Sequence, residues 1–229
     1  MKHISSKLIH GNPDPLSQLN HRSLKIPVYE TASYDFETAE QVEAAFRGES
    51  DAYTYSRITN PTVRELESRL CLLSEAEQCL CVSSGMAAIA NVLLTLCQCG
   101  DNIITSRYLF GNTYSLFTKT LASFGIETRF ANPEVPSSLE QFIDSKTRAV
   151  FVETISNPQL IVFDIPSIAV ITSKHNIPLI VDNSVLTPYL FRCRDYQVDI
   201  EVLSTTKFIS GGATSIGGAI LTYPSGKWA

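Results

Sequence analysis

Lys207 sits at the end of the run DIEVLSTT (199–206) and just ahead of Ser210-Gly211-Gly212. A short apolar run bounded by turn formers reads as a buried strand. A lysine at the mouth of such a strand is expected to be partly desolvated, which lowers its pKa and leaves some neutral amine. A neutral amine can form a Schiff base with an aldehyde, and the hydroxyls of Ser204 and Thr206 beside it can hold a phosphate. By itself such a lysine reads as a surface residue that snorkels. Its significance depends on what else the chain brings to it.

Two other stretches carry compatible chemistry. In CLCVSSGMAAIANVLLTL a strand ends at Val82, Ser83-Ser84-Gly85 turns, and a helix runs from Met86 to about Leu96. Gly85 at that junction lets backbone amides approach an anion, and a helix N-terminus favours negative charge. In PLIVDNS (178–184), Asp182, Asn183 and Ser184 follow directly on apolar positions. A carboxylate at the C-terminal end of a buried parallel strand lies where α/β sheets place ligands, although a turn or N-cap aspartate has the same signature. Tyr55 and Arg57, two apart, point the same way in extended chain and form either a phosphate grip or a plain surface pair.

The elements that must position these groups follow from periodicity. AEQVEAAFRG (39–48) has helical spacing and ends on Gly48. Asn60-Pro61-Thr62 opens a second helix, with Asn60 as N-cap, expected to bury Val63, Leu66, Leu70 and Leu73. GDNIITS and IETRFAN are strands flanking a helix that closes at Gly125. Beyond them lie a strand at 149–155, a helix at 167–174 and strands at 178–184, 199–205 and 216–223. Strands and helices alternate about seven times, so the expected fold is α/β, a mostly parallel sheet with helices on both faces. In a parallel sheet the three polar turns lie along one edge and can converge on one ligand. Ahead of them HGNPDPLSQ, with two prolines and a glycine, begins an extended arm suited to packing on another subunit.

Bulk properties exclude several function classes. The 229 residues are 44% hydrophobic and 18% charged, the profile of a globular protein with a sizeable core. A net charge of −5 disfavours nucleic-acid or membrane-surface partners. No apolar run has transmembrane length and the N-terminus lacks a signal-peptide core, so a cytoplasmic location is expected. Cys79/Cys81 and Cys97/Cys99 have C-x-C spacing, with sparse histidine, so the cysteines read as buried free thiols rather than a metal site.

An amine, a carboxylate and an anion cradle together suit pyridoxal phosphate, which offers an aldehyde, a ring nitrogen to be kept protonated, and a phosphate. The motifs Y-S-R-x-x-N-P-T (55–62), S-S-G-M-A-A-I (83–89), E-T-x-x-N-P (153–158), D-N-S (182–184) and S-T-T-K-F-I-x-G-G (204–212) stand in order. In that order they resemble the Cys/Met-metabolism group of pyridoxal-phosphate enzymes, over about residue 5 to the end. The resemblance implies a fold type I, aspartate-aminotransferase-like large domain over 56–229, preceded by an intersubunit arm over 1–55. It implies that Lys207 is the Schiff-base lysine and proton shuttle and that Asp182 partners the pyridinium. It places Ser84, the Gly85 and Met86 amides, and the Ser204 and Thr206 hydroxyls at the phosphate, with Ser184 in the same site. Tyr55 and Arg57 would complete that site from a neighbouring subunit, so the resemblance implies a homo-oligomer, at least a dimer and, as in the family, a dimer of dimers. Asn157 would lie near the cofactor hydroxyl and the substrate carboxylate.

Two departures from the family pattern carry meaning. L-F-G-N-T (109–113) puts Phe110 where most relatives stack a tyrosine on the ring, so stacking is retained and the phenol is lost. A similar phenylalanine, and the closing T-S-I-G-G-A-I-L-T-Y-P-S-G-K-W, resemble sulfhydrylases. The expected reaction is therefore γ-replacement on an O-acylhomoserine by sulfide or a thiol, in sulfur amino-acid biosynthesis. A cystathionine or methionine lyase is the alternative, and a non-catalytic cofactor-binding assembly module is the alternative of another class. Relatives also continue into a C-terminal domain whose arginine clamps the substrate carboxylate. A chain without it is expected to keep the cofactor site and bind amino acids poorly.

Overall fold

Asn60 organises the N-terminal part of the chain. Its Oδ1 accepts from the Thr62 amide at 2.9 Å, and its Nδ2 donates to Tyr29 O at 3.0 Å and Ser56 Oγ at 2.9 Å. This is the N-cap expected from the sequence, and it starts helix α2 (Pro61–Ser74). Upstream, helix α1 (Ala39–Phe46) begins at the Thr38 hydroxyl, which accepts from Gln41 N, and is followed by Gly48 at φ +72°. Helix α2 buries Leu70 and Leu73, but Val63 and Leu66 are exposed, at 41% and 37%. The expected four-residue apolar stripe is thus covered only along its C-terminal half.

The computed structural model describes residues 4, 6, 9, 26–132 and 134–223. The HGNPDPLSQ arm and the last six residues lie outside the described residues. Chain contacts divide the molecule into Met1–Leu72 and Leu73–Ala229, a cut that falls inside α2.

The second unit is built on seven strands: β1 (Gln78–Val82), β2 (Asn102–Ser106), β3 (Glu127–Ala131), β4 (Thr147–Glu153), β5 (Leu179–Asp182), β6 (Ile200–Leu203) and β7 (Gly218–Thr222). Their order is β1-β7-β6-β5-β4-β2-β3. All neighbours pair parallel except β6–β7 and β7–β1. Two antiparallel steps return β1 to the direction of β6, so the C-terminal end of β1 shares the edge where β4, β5 and β6 end. The sheet is mostly parallel α/β, as the alternation predicts.

Helix α3 (Gly85–Leu96) and helix α4 (Gly111–Ser115, continued by a π-helical turn Leu116–Leu121) lie on one face, where Ala88, Leu93, Phe117 and Leu121 pack on Ile103, Phe151, Ile180 and Val202. Helix α5 (Ile165–His175) packs Ile165, Ile168 and Ala169 against the alternate positions Ile104, Val150, Val152, Leu179 and Val181 on the other face. The period-2 alternation of the central strands thus feeds two separate cores. Helix α6 (Thr187–Leu190) is a single turn between β5 and β6. Strand β4 runs from 147 to 153 rather than 149 to 155, because its pairing with β2 begins at Asn102–Thr147 and the chain leaves the ladder after Glu153.

Candidate functional site

Three strand ends meet at the C-terminal edge of the sheet. The Ser84 side chain caps α3 by accepting from Ala87 N at 3.0 Å, leaving the first amides of the helix, Gly85 and Met86, directed out of its N-terminus. Gly85 lies hard against the turn after β6: a β-carbon there would stand 2.7 Å from Ser204 Cβ, so only glycine fits. Behind it, a β-carbon on Gly218 would come within 2.1 Å of Ser84 O, so the cradle is shaped by two glycines from opposite sides. Ser204 N donates to Ser184 Oγ at 2.7 Å, and Ser184 N donates to the Asp182 carboxylate at 2.9 Å. One unbroken set of contacts therefore runs from the α3 N-terminus through Ser204 and Ser184 to Asp182.

Asp182 ends β5 directly beside Glu153, which ends β4. Burial pushes the Asp182 carboxyl up, and the hydrogen bonds from Ser184 partly oppose this. Glu153 is 5% exposed, and its carboxyl is pushed up to about 7, chiefly by burial, with the Asp182 charge adding to it. Its two oxygens accept from Phe110 N at 2.8 Å and Asn157 N at 3.3 Å. One buried acid thus ties the Phe110 turn and the Asn157 turn to the strand end next to Asp182. Sequence reasoning quoted Glu153 within a motif but gave it no part. The signal was present: it is an acid ending an apolar strand, the same pattern that singled out Asp182. Phe110 itself is 42% exposed, with its ring available to a flat ligand.

Lys207 differs from its sequence expectation. Strand β6 ends at Leu203, so Lys207 lies on the turn beyond the strand mouth and its side chain is exposed, not desolvated. Its backbone still belongs to the cradle, with Lys207 N donating to Ser204 O at 3.2 Å. Thr206 also differs: its hydroxyl donates to Gly217 O at 3.2 Å and accepts from Gly217 N at 3.0 Å. That proton is committed to fastening the 204–217 loop, so Ser204 is the better placed hydroxyl donor of the two. Met86, partly buried, accepts from the Thr113 hydroxyl at 3.8 Å.

Tyr55 and Arg57 belong to the first unit. Tyr55 bridges Ser33 and is 41% exposed, and the Arg57 guanidinium carbon lies 5.3 Å from its ring centroid. The two side chains meet through the ring and not through extended spacing: residues 56–58 form a turn, with Ile58 N and Thr59 N donating to Tyr55 O at 2.8 and 3.1 Å.

The residues present suit pyridoxal phosphate: a glycine-shaped cradle with helix amides for the phosphate, a half-buried carboxyl for a ring N–H, and an exposed aromatic face.

Comparison with known proteins agrees with that fit. Residues 5–228 match the family described as Cys/Met metabolism PLP-dependent enzyme. The chain is 37% identical over 226 residues to O-acetyl-L-homoserine sulfhydrylase of Corynebacterium glutamicum, covering 98% of this chain and 51% of that protein. It is 35% identical over 218 residues to L-methionine gamma-lyase of Pseudomonas putida, covering 95% of this chain and 54% of the relative. A crystal structure of an O-acetylhomoserine (thiol)-lyase from Campylobacter jejuni, carrying N'-pyridoxyl-lysine-5'-monophosphate, superposes with a TM-score of 0.91 at 37% identity over 97% of this chain and 55% of that one. The chain thus spans about half the length of the relatives it matches. On these matches, the chain belongs to the Cys/Met metabolism family of pyridoxal-phosphate-dependent enzymes.

Proposed function

We propose that this chain carries the cofactor-holding part of an enzyme that replaces the γ-substituent of an O-acylhomoserine with sulfide or a thiol. The observation that supports this most is the close packing of Gly85 on Ser204 and the hydrogen bonds that continue from Ser204 through Ser184 to Asp182, with the Lys207 turn attached at Ser204. When bound, pyridoxal phosphate supplies an electron sink that makes protons next to its attachment point acidic. The chain's own groups have separable tasks. The Gly85 and Met86 amides and the Ser204 hydroxyl hold the phosphate, with Ser84 and Ser184 shaping the surround. Asp182 keeps a proton on the ring nitrogen, and Phe110 covers one face of the ring. Glu153 fixes Phe110 and Asn157 relative to Asp182, and Asn157 reaches the ring hydroxyl and the substrate carboxylate. Lys207 anchors the aldehyde and then moves protons, for which an exposed amine on a short turn has the necessary reach. Tyr55 and Arg57 complete the phosphate site of a neighbouring subunit, which makes the enzyme a homo-oligomer, a dimer of dimers, working in the cytoplasm.

Replacement is favoured over elimination because Phe110 cannot supply a proton as a phenol would. The lyase reading is kept alive by the methionine gamma-lyase match. Product analysis separates the two. With O-acetylhomoserine and sulfide the proposal expects homocysteine. Release of a 2-oxo acid from methionine or cystathionine alone, without replacement, would contradict it.

A further inference from the structure

Glu201 lies on β6 between Ile200 and Val202, which belong to the α3-side core. Alternation therefore turns its side chain to the α5 side, opposite to Asp182, among Val181, Cys193 and Tyr223. It is completely buried, 0% exposed, in the middle of the sheet. Carboxylates are rarely fully buried unless partnered. Here Tyr223 donates its hydroxyl, Asn183 donates Nδ2 at 2.7 Å and Cys193 donates its thiol. The titratable groups that act on Glu201 are Tyr223, directly after β7, Cys193 from the turn after α6, and Asp182 on the other face of neighbouring β5, none of them basic. The carboxyl is raised to about 7, by burial first and by Asp182 among the charges.

Asn183 is the mechanical link. It follows Asp182 directly, its Nδ2 donates to both Glu201 Oε1 and Phe191 O (2.8 Å), and its backbone N donates to Val202 O at 3.0 Å. Among the described residues its buried Oδ1 has no hydrogen-bond partner. An amide kept in the core with its oxygen unpaired is retained for its N–H groups, and those reach the Glu201 carboxylate.

We propose that Glu201 is a positioning residue for Asp182: through Asn183 it fixes the strand end that carries Asp182, and it sets a second negative charge behind that carboxylate. If Asp182 holds a protonated ring nitrogen, on which the inference rests, the second charge holds that proton more tightly. The role is then visible only toward ligands that have the nitrogen.

The test is equilibrium binding, without turnover, of pyridoxal 5'-phosphate and of 1-deazapyridoxal 5'-phosphate, whose ring carries C–H in place of nitrogen. Wild type, Asp182→Asn and Glu201→Gln are compared at pH 8. Glu201→Gln should weaken pyridoxal phosphate about fivefold, the scale of one charge acting across a protein interior, and leave the deaza compound within about twofold. Equal weakening of both ligands would reduce Glu201 to a structural residue and overturn the proposal. Discrimination lost in Asp182→Asn but intact in Glu201→Gln would overturn it while leaving the cofactor reading standing. A wild type that binds neither ligand, or an Asp182→Asn that keeps the wild-type preference for pyridoxal phosphate, would instead sink the cofactor reading and the proposal with it. Should Glu201→Gln not fold, Tyr223→Phe provides the second arm. It keeps the charge but removes a donor to it, so the pH midpoint of the wild-type preference for pyridoxal phosphate over the deaza compound should move up. An unmoved midpoint would assign that preference to Glu153 or Asp182 and overturn the proposal.

Discussion

Two buried glutamates flank Asp182, one on each face of the sheet, and they are held in opposite ways. Glu153, on the α3 side, accepts from the backbone amides of two turns, at Phe110 and Asn157. Glu201, on the α5 side, accepts from side chains, Tyr223, Asn183 and Cys193, anchored in the sheet and the core. Both carboxyls are raised to about 7, with burial the first cause in each. The same burial thus serves different ends. Glu153 ties loops that bear ligand-facing groups, Phe110 and Asn157 both being exposed, whereas Glu201 stiffens the frame beneath them. An acid that fastens loops is replaceable by water at some cost in order, while one that fastens a core is not.

Substitution to alanine should separate the two most sharply. Glu201→Ala leaves three interior donors without an acceptor and opens a cavity, and is expected to cost about 4 kcal/mol in chemical denaturation. Next in size is the pH dependence. Each folded carboxyl sits above its unfolded value, so each contributes stability that is fully present below about pH 4.5 and is lost as pH rises through about 7. The loss is on the order of 3 kcal/mol for each group taken alone. Glu201→Gln and Glu153→Gln should each flatten that part of a stability–pH profile. A profile that rises from pH 5 to 8 and is unchanged by either substitution would contradict the assignment. The smallest effect is expected from Glu153→Ala, about 1–2 kcal/mol in stability, because the Phe110 and Asn157 amides lie at an edge water can reach. Its larger consequence should be looser cofactor binding. If instead it destabilises as much as Glu201→Ala, the distinction between loop fastener and frame fastener fails.

Much of this edge was legible in the sequence, and the parts that were not have physical reasons. Ser84-Gly85, Asp182 and Ser204 stand out because a turn former or polar group follows an apolar strand, and the parallel sheet then brings such turns together. Glu201 escaped because DIEVLSTT reads as one apolar run. Its hydrogen-bond partners Asn183, Cys193 and Tyr223 are between 8 and 22 positions away in sequence and meet it only through pairing of β5, β6 and β7. A glutamate inside an otherwise apolar strand was nonetheless a signal in its own right. The exposure of Lys207 was misjudged because the strand was expected to continue to 205, whereas its ladder closes at Leu203 and the turn lifts the lysine out of the core's edge. The exposed Val63 and Leu66 show the same limit in a helix: periodicity predicts which face is apolar, and only packing decides how much of it is covered.

The central claim is that the Gly85, Asp182 and Ser204 turns hold pyridoxal phosphate with Lys207 as its covalent anchor. Borohydride reduction of the chain incubated with pyridoxal phosphate, followed by peptide mapping, tests this directly. The account predicts a pyridoxyl group on the peptide containing Lys207, lost in Lys207→Ala. A label on another lysine, or none on Lys207, would contradict it.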